Sequence, residues 1–148
     1  LDTLVFDKNM IGELLNEKYA LGLEELSFYK QFVTANKTPK KQRIDQEYET
    51  LEISYLGELK DLNQKDSYHV IANFTVIKDM QSPRGISKIA FLSGNLDKAI
   101  VYHMNMPDEL PEKIEDNILY FTLESQKVGV SISRGLPPML CLPKIGCY

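Results

Sequence analysis

Both thiols of this chain lie in its last fourteen residues, GLPPMLCLPKIGCY, residues 135–148. Cys141 and Cys147 are separated by LPKIG, in which Pro143 and Gly146 can turn the backbone. Two thiols so close can join once their Cα atoms come within about 4.4–6.8 Å. A loop this short would add only about 2–3 kcal/mol of stability, so its effect is local: it holds down a C-terminus that would otherwise fray. The competing reading is two free cysteines, with Cys141 a small buried hydrophobe in the apolar run MLCL. A redox or zinc role would need a CxxC spacing or further ligands, and neither is present in the sequence. A disulfide requires an oxidising compartment, which makes an exported protein (periplasmic, cell-surface or extracellular) the expectation, with a cytoplasmic one as the alternative. The chain starts at Leu1 rather than Met, as either a trimmed chain or a secreted chain shorn of its signal peptide would.

Two histidines are the remaining groups that titrate near neutral pH, His69 and His103. Each falls in a segment that reads as a strand, opposite the more regular apolar face. If those strands were neighbours the imidazoles would meet, yet no HxH, HExxH or Cys/His spacing supplies the third donor that a metal needs. They are read as ordinary strand histidines, or as part of a pH-sensitive interface. With Tyr120 they are also the candidates for lining a small-ligand pocket.

Nucleophilic catalysis finds no GxSxG elbow and no SxxK; the SG pair in FLSGN has no activating neighbour in sequence. The eight glycines are dispersed and form no phosphate-cradling loop. No cofactor and no metal are implied, and the reading leans towards a protein that is not an enzyme.

Charge is patterned in two runs. NKTPKKQR (36–43) collects Lys37, Lys40, Lys41 and Arg43 without an aromatic platform for stacking bases, and reads as a basic surface loop. DELPEKIED (108–116), with Pro107 just before it and Pro111 within it, sets five carboxylates against Lys113. Its spacing fits neither a Ca²⁺ loop nor a glycosidase pair, and it reads as a solvated connection or short helical turn that could contact a basic partner. Overall, seventeen basic against twenty-one acidic side chains give a net charge of −4, which supplies no field towards nucleic acid or anionic membrane. No apolar run approaches a membrane span. Asn36-Lys37-Thr38 and Asn73-Phe74-Thr75 match the N-glycosylation pattern, the second within an expected strand and so a poor acceptor.

The elements that must position these groups are helical first and β afterwards. Met10, Ile11, Leu14 and Leu15, then Leu26, Tyr29, Phe32 and Val33, recur at helical spacing, so two short helices are expected within about 7–36, broken at Gly22 and stopped by Asn36 and Pro39. Residues 40–62 are ambiguous. Ile44, Tyr48, Leu51, Tyr55, Leu59 and Leu62 allow a third helix, whereas Leu51, Ile53 and Tyr55 alternate with polar residues and favour a strand over about Tyr48 to Leu59. YHVIANFTVI (68–77) alternates cleanly. ISKIAFL (86–92) and KAIVYHM (98–104) flank the turn SGNLD, and NILYFTL (117–123) and KVGVSIS (127–133) flank ESQ, which makes two antiparallel hairpins. Residues 134–148 read as an irregular tail.

Apolar residues on both faces of a strand, as in Ile118, Leu119, Tyr120, Phe121 and Leu123, require a cover on the second face. The N-terminal helices are the cover proposed by the sequence, so the expected fold is α+β: N-terminal helices on a curved antiparallel meander of five to six strands, in one domain over 1–148. A closed β-barrel with N-terminal helices is the alternative. No motif places the chain in a family; the order of elements resembles the cystatin-like and nuclear-transport-factor-like superfolds, a likeness that implies no activity. The functional expectation is a non-catalytic, exported protein-binding domain or accessory subunit, with Tyr48, Tyr55 and Tyr148 as interface aromatics. The alternative is a small-ligand binder or hydrolase with a pocket between helices and sheet.

Overall fold

The computed structural model describes residues 3–7, 23–36, 38–62, 66–78, 82–97, 99–137, 140–143 and 146–148. Strand β1 (Thr3–Asp7) precedes helix α1 (Leu23–Ala35), and β2 (Lys40–Asp45), β3 (Glu49–Asp61), β4 (Asp66–Ile77), β5 (Arg84–Ser93) and β6 (Ala99–Met104) follow as an antiparallel five-stranded meander. A 3₁₀ turn (Pro107–Glu109) leads to β7 (Lys113–Glu115), β8 (Ile118–Leu123) and β9 (Gln126–Arg134), and a short hairpin of β10 (Cys141–Leu142) and β11 (Gly146–Cys147) ends the chain. The meander keeps the order β2-β3-β4-β5-β6 with open edges at β2 and β6, so it is not a closed barrel. The first expected helix, around Met10 to Leu15, lies outside the described residues.

The second hairpin does not extend the meander. β7, β8 and β9 form a separate sheet in the order β1-β9-β8-β7, with β1 running parallel to β9. This sheet packs on one face of the meander and α1 covers the other, which explains why the meander strands are apolar on both faces. Alternation places Tyr68, Val70 and Ala72 of β4 towards the second sheet and Ile71 and Asn73 towards the helix, as the sequence pattern of 68–77 predicts. One core therefore joins Leu59, Val70, Ile89, Phe91, Tyr102, Leu119, Phe121, Val130 and Ile132; a second joins Tyr29, Phe32 and Val33 of α1 to Ile53, Tyr55, Ile71, Ala90, Leu92 and Val101. The helix presents Tyr29, Phe32 and Val33 because positions three and four apart share a face. It ends where Asn36 turns its backbone N–H and its side-chain amide back to the Phe32 carbonyl, at 3.2 and 2.8 Å.

Glycine 57 allows β3 to serve both cores. The register with β4 slips between Tyr55 and Gly57, and Gly57 holds φ at +118°. The extra residue reverses the facing of the strand: Ile53 and Tyr55 lie under the helix, whereas Leu56 and Leu59 join the core between the sheets. Beyond β2, the edge of β3 is capped by Asn117, whose side chain accepts from the Lys60 N–H (2.7 Å) and donates to the Lys60 carbonyl (3.0 Å).

Three local expectations are corrected. Half of the basic run is the edge strand β2 rather than a loop, since Lys40 to Asp45 pair with Tyr55 to Thr50. Within the acidic run, the short turn is followed by strand β7. The tail is not irregular at its end: Leu140 and Tyr148 exchange two backbone hydrogen bonds of 2.9 Å, and Cys141 pairs with Cys147. The two cysteines form a disulfide with an S–S separation of 2.13 Å. Leu136, Leu140 and Leu142 plug the inter-sheet core, and Tyr102 donates its hydroxyl proton to the Pro137 carbonyl.

A Cβ on residue 57 would meet only Ile114 Cδ1, at 3.9 Å, so Gly57→Ala meets no steric obstacle and loads the backbone alone. That substitution is expected to lower unfolding free energy by about 1–3 kcal/mol in urea titration, the range for a non-glycine residue held in a sparsely populated backbone region. An unchanged midpoint would show that the bulge does not require glycine.

Candidate functional site

The helix face of the meander is largely apolar, but around its centre β4 and β5 carry Asn73, Thr75 and Lys88. Asn73, 5% exposed, sits opposite Lys88 across the β4–β5 pair, and Lys88 opposite His103 across β5–β6. Buried polar groups of this kind are costly without partners. Here they form a chain of hydrogen bonds. Thr75 Oγ1 donates to Asn73 Oδ1 (3.0 Å), Asn73 Nδ2 donates to Tyr29 Oη (2.8 Å), and the Tyr29 hydroxyl donates to Glu25 Oε1 (3.0 Å). Lys88 Nζ closes it on the same Glu25 oxygen at 2.7 Å. Tyr29 and Glu25 are four apart on α1, which brings both to the sheet on one helical face.

The electrostatics follow from that geometry. Burial, and then the Glu25 carboxylate, push the Tyr29 phenol far above the ordinary tyrosine range, while the Asn73 amide opposes them. Tyr29 is thus a fixed proton donor rather than a nucleophile. At His103, desolvation of the ring and then the Lys88 ammonium hold the imidazole below the usual histidine value, with Glu25 acting in the opposite direction.

Beside this chain is a pocket of about 370 Å³ between α1 and the sheet. Phe28, Leu51, Ile77 and Ile86 supply apolar wall, and Glu25, Tyr29, Asn73, Thr75, Lys88 and Glu49 supply polar wall. A second recess of about 520 Å³ opens on the other side of the meander, where the second sheet stops short. Ala72, Phe74, Leu110 and Pro111 give it apolar lining, and Lys41, Glu52, Asp108 and Glu112 give it charged lining, with Glu52 also 4.0 Å from Arg43. The two charge runs of the sequence therefore meet at one groove. The wall carrying Asp108 and Glu112 is held by its own hydrogen bonds: Glu109 Oε1 accepts from the backbone N–H groups of Asn105 (3.1 Å) and Met106 (3.3 Å), and the Glu112 N–H donates to the Tyr120 carbonyl (2.8 Å).

The three residues named as ligand candidates do not converge. His69 is on the helix face of β4, with Nδ1 sharing a 2.8 Å hydrogen bond with the Tyr55 hydroxyl. His103 is on β6, separated from β4 by β5. Tyr120 lies in the second sheet, with Lys113 Nζ 5.7 Å from its ring centroid. Of the expected interface aromatics, Tyr48 is exposed, Tyr148 half-buried and Tyr55 buried under the helix. The residues that line the helix-side pocket were legible in one respect: Asn73 and Lys88 interrupt otherwise apolar strands, the mark of a buried polar group that needs a partner. The partner of Asn73, Tyr29, looked like an ordinary member of the helical stripe, and the partner of Lys88 is Glu25, one turn earlier on the same helix. Asn73 of the second glycosylation pattern is buried with its amide bonded to Tyr29.

Tyr29→Phe leaves the Asn73 amide without its acceptor and is expected to lower stability by about 1–3 kcal/mol by chemical denaturation. His103 gives the pH dependence. Its folded value lies below its unfolded one, so protonation favours the unfolded chain: stability is unaffected well above about pH 6.5 and is lost as pH falls through that value towards the folded one. Urea midpoints at pH 7.5 and 5.5, as test conditions, should fall less in His103→Gln than in the parent; an equal fall would assign the loss to other groups.

No protein-family model matches this chain, and neither a curated protein nor a solved structure matches it, so its chemistry is read from its own geometry.

Proposed function

We propose that this chain is a non-catalytic, exported binding domain, an accessory part of a larger assembly, which receives an extended cationic segment of another protein in the groove beside the 3₁₀ turn. The observation that carries this reading is the composition of that groove. Asp108, Glu112 and Glu52 line it with one ammonium, Lys41, and the apolar Ala72, Phe74, Leu110 and Pro111; Glu52 also pairs with Arg43 at 4.0 Å, so the exposed Asp108 and Glu112 carry its negative charge. Asp108 and Glu112 are exposed, so a partner's lysine or arginine could reach them without burying an unpaired charge. The hydrogen-bonded turn supports the same reading, because a preformed wall spares a partner the ordering cost. Export is supported by the Cys141–Cys147 disulfide, which persists in oxidising compartments. Among the described residues, no helix is long and apolar enough to cross a membrane.

The test uses two short synthetic peptides with one central leucine, one flanked by lysines and the other by glutamates, titrated into isotope-labelled protein. The lysine peptide is expected to move the amide resonances of Phe74, Leu110 and Thr122 and to weaken with added salt. The double variant Asp108→Lys, Glu112→Lys should bind it about tenfold more weakly or worse, with an unchanged unfolding midpoint. Equal binding of the glutamate peptide, or shifts confined to other surfaces, would remove the groove from this role.

A further inference from the structure

We infer that the pocket beneath α1 is a second, separate site, for a small primary amine with an apolar body. Its volume of about 370 Å³ is within the range of about 300–1,000 Å³ typical of small-molecule pockets, and its lining is divided in the manner of such sites. Phe28, Leu51, Ile77 and Ile86 supply hydrocarbon, with polar groups of α1, β3, β4 and β5 and Gln46 set among them: Glu49 is opposite Ile77, and Thr75 is opposite Leu51.

Charge selects the ligand. The lining holds two carboxylates, Glu25 and Glu49, and one ammonium, Lys88. Lys88 lies 2.7 Å from Glu25, so that pair is internally compensated. Glu49 is in no ion pair among the described residues and is the uncompensated charge of the pocket. It sits opposite Ile77 in the β3–β4 pairing, on the same face of the sheet as that apolar side chain. An anionic ligand would face the excess carboxylate, and a neutral one would leave it unanswered. An ammonium group answers it, with the ligand's hydrocarbon portion against Phe28 and Ile86. Tyr29, Asn73 and Thr75 bond to one another and hold that wall in place, and no ion pair among the described residues competes for Glu49.

The experiment titrates phenethylamine, 3-phenylpropanoate and 2-phenylethanol separately into the intact chain by calorimetry and by NMR. Saturable binding of the amine is expected, with contacts from its ring protons to Phe28 and Ile86 and no comparable binding of the acid or alcohol. Glu49→Gln should weaken the amine about tenfold or more while leaving the unfolding midpoint in place, because this side chain is in no ion pair among the described residues. The groove variant Asp108→Lys, Glu112→Lys should bind the amine as the parent does, which separates this site from the peptide groove. Absence of saturable binding at millimolar amine, equal binding of the acid or alcohol, undiminished affinity in Glu49→Gln, or amine contacts in the groove instead would each overturn the inference.

Discussion

The central strands β3, β4 and β5 carry large apolar side chains on both faces, and neither face can be left to water. Burying a leucine- or phenylalanine-sized side chain is worth about 1.5–3 kcal/mol, and this sheet has such residues in quantity on each side. The meander must therefore be the middle of three layers. Helix α1 covers one face through Tyr29, Phe32 and Val33; the sheet of β1, β9, β8 and β7 covers the other through Leu119, Phe121 and Val130. The bulge of β3 at Gly57 redirects its side chains from one core to the other. The C-terminal hairpin closes the end of the inter-sheet core, with its disulfide holding the strands that carry Leu140 and Leu142.

Both candidate sites arise where that layering is incomplete or polar. Under the helix, Asn73 and Lys88 replace apolar residues and would be destabilising alone. Their chain through Tyr29 to Glu25 satisfies each in turn and orients α1 across the strands. A part-buried ion pair such as Glu25–Lys88 adds little net stability over an apolar pair of equal size, but losing one partner is costly, so it acts chiefly on where the helix sits. On the opposite face the second sheet does not reach Glu52, Ser54 and Phe74, and the turn at 107–109 walls that uncovered end. The groove is thus a consequence of two sheets of unequal extent. Apart from Glu52, its charge comes from two runs far apart in sequence, which would read as opposite poles in the absence of a fold.

Local structure was largely legible in the residues. The alternation of 68–77, the turn SGNLD between 86–92 and 98–104, the stop at Asn36 and the closeness of Cys141 and Cys147 all correspond to what the chain does there. Propensity and side-chain periodicity act over a few residues, and these features require nothing more. The open reading of 40–62 resolves as strands because β4 supplies the ladder for β3, and β3 in turn supplies it for β2. The edge strand β2, rich in lysine and arginine, carried no apolar alternation to announce it; charged side chains suit an edge that must not pair indiscriminately.

Sequence by itself determined the β-rich character of the chain, the two-sided burial of its strands and the spacing that lets its two cysteines pair, since each depends on residue type and short spacing. Which element would cover which face was decided only in three dimensions. The apolar pattern of 117–133 is the same whether that hairpin extends a meander or packs across it, and hydrophobic burial is non-directional. So too with the candidate sites: His69, His103 and Tyr120 stand out as residue types, but the groups that converge are Glu25, Tyr29, Asn73 and Lys88, brought together by a helix crossing a sheet. Charge and hydrogen-bonding capacity are written in the residues, whereas proximity between positions 63 apart, as for Glu25 and Lys88, is a property of the packed layers alone.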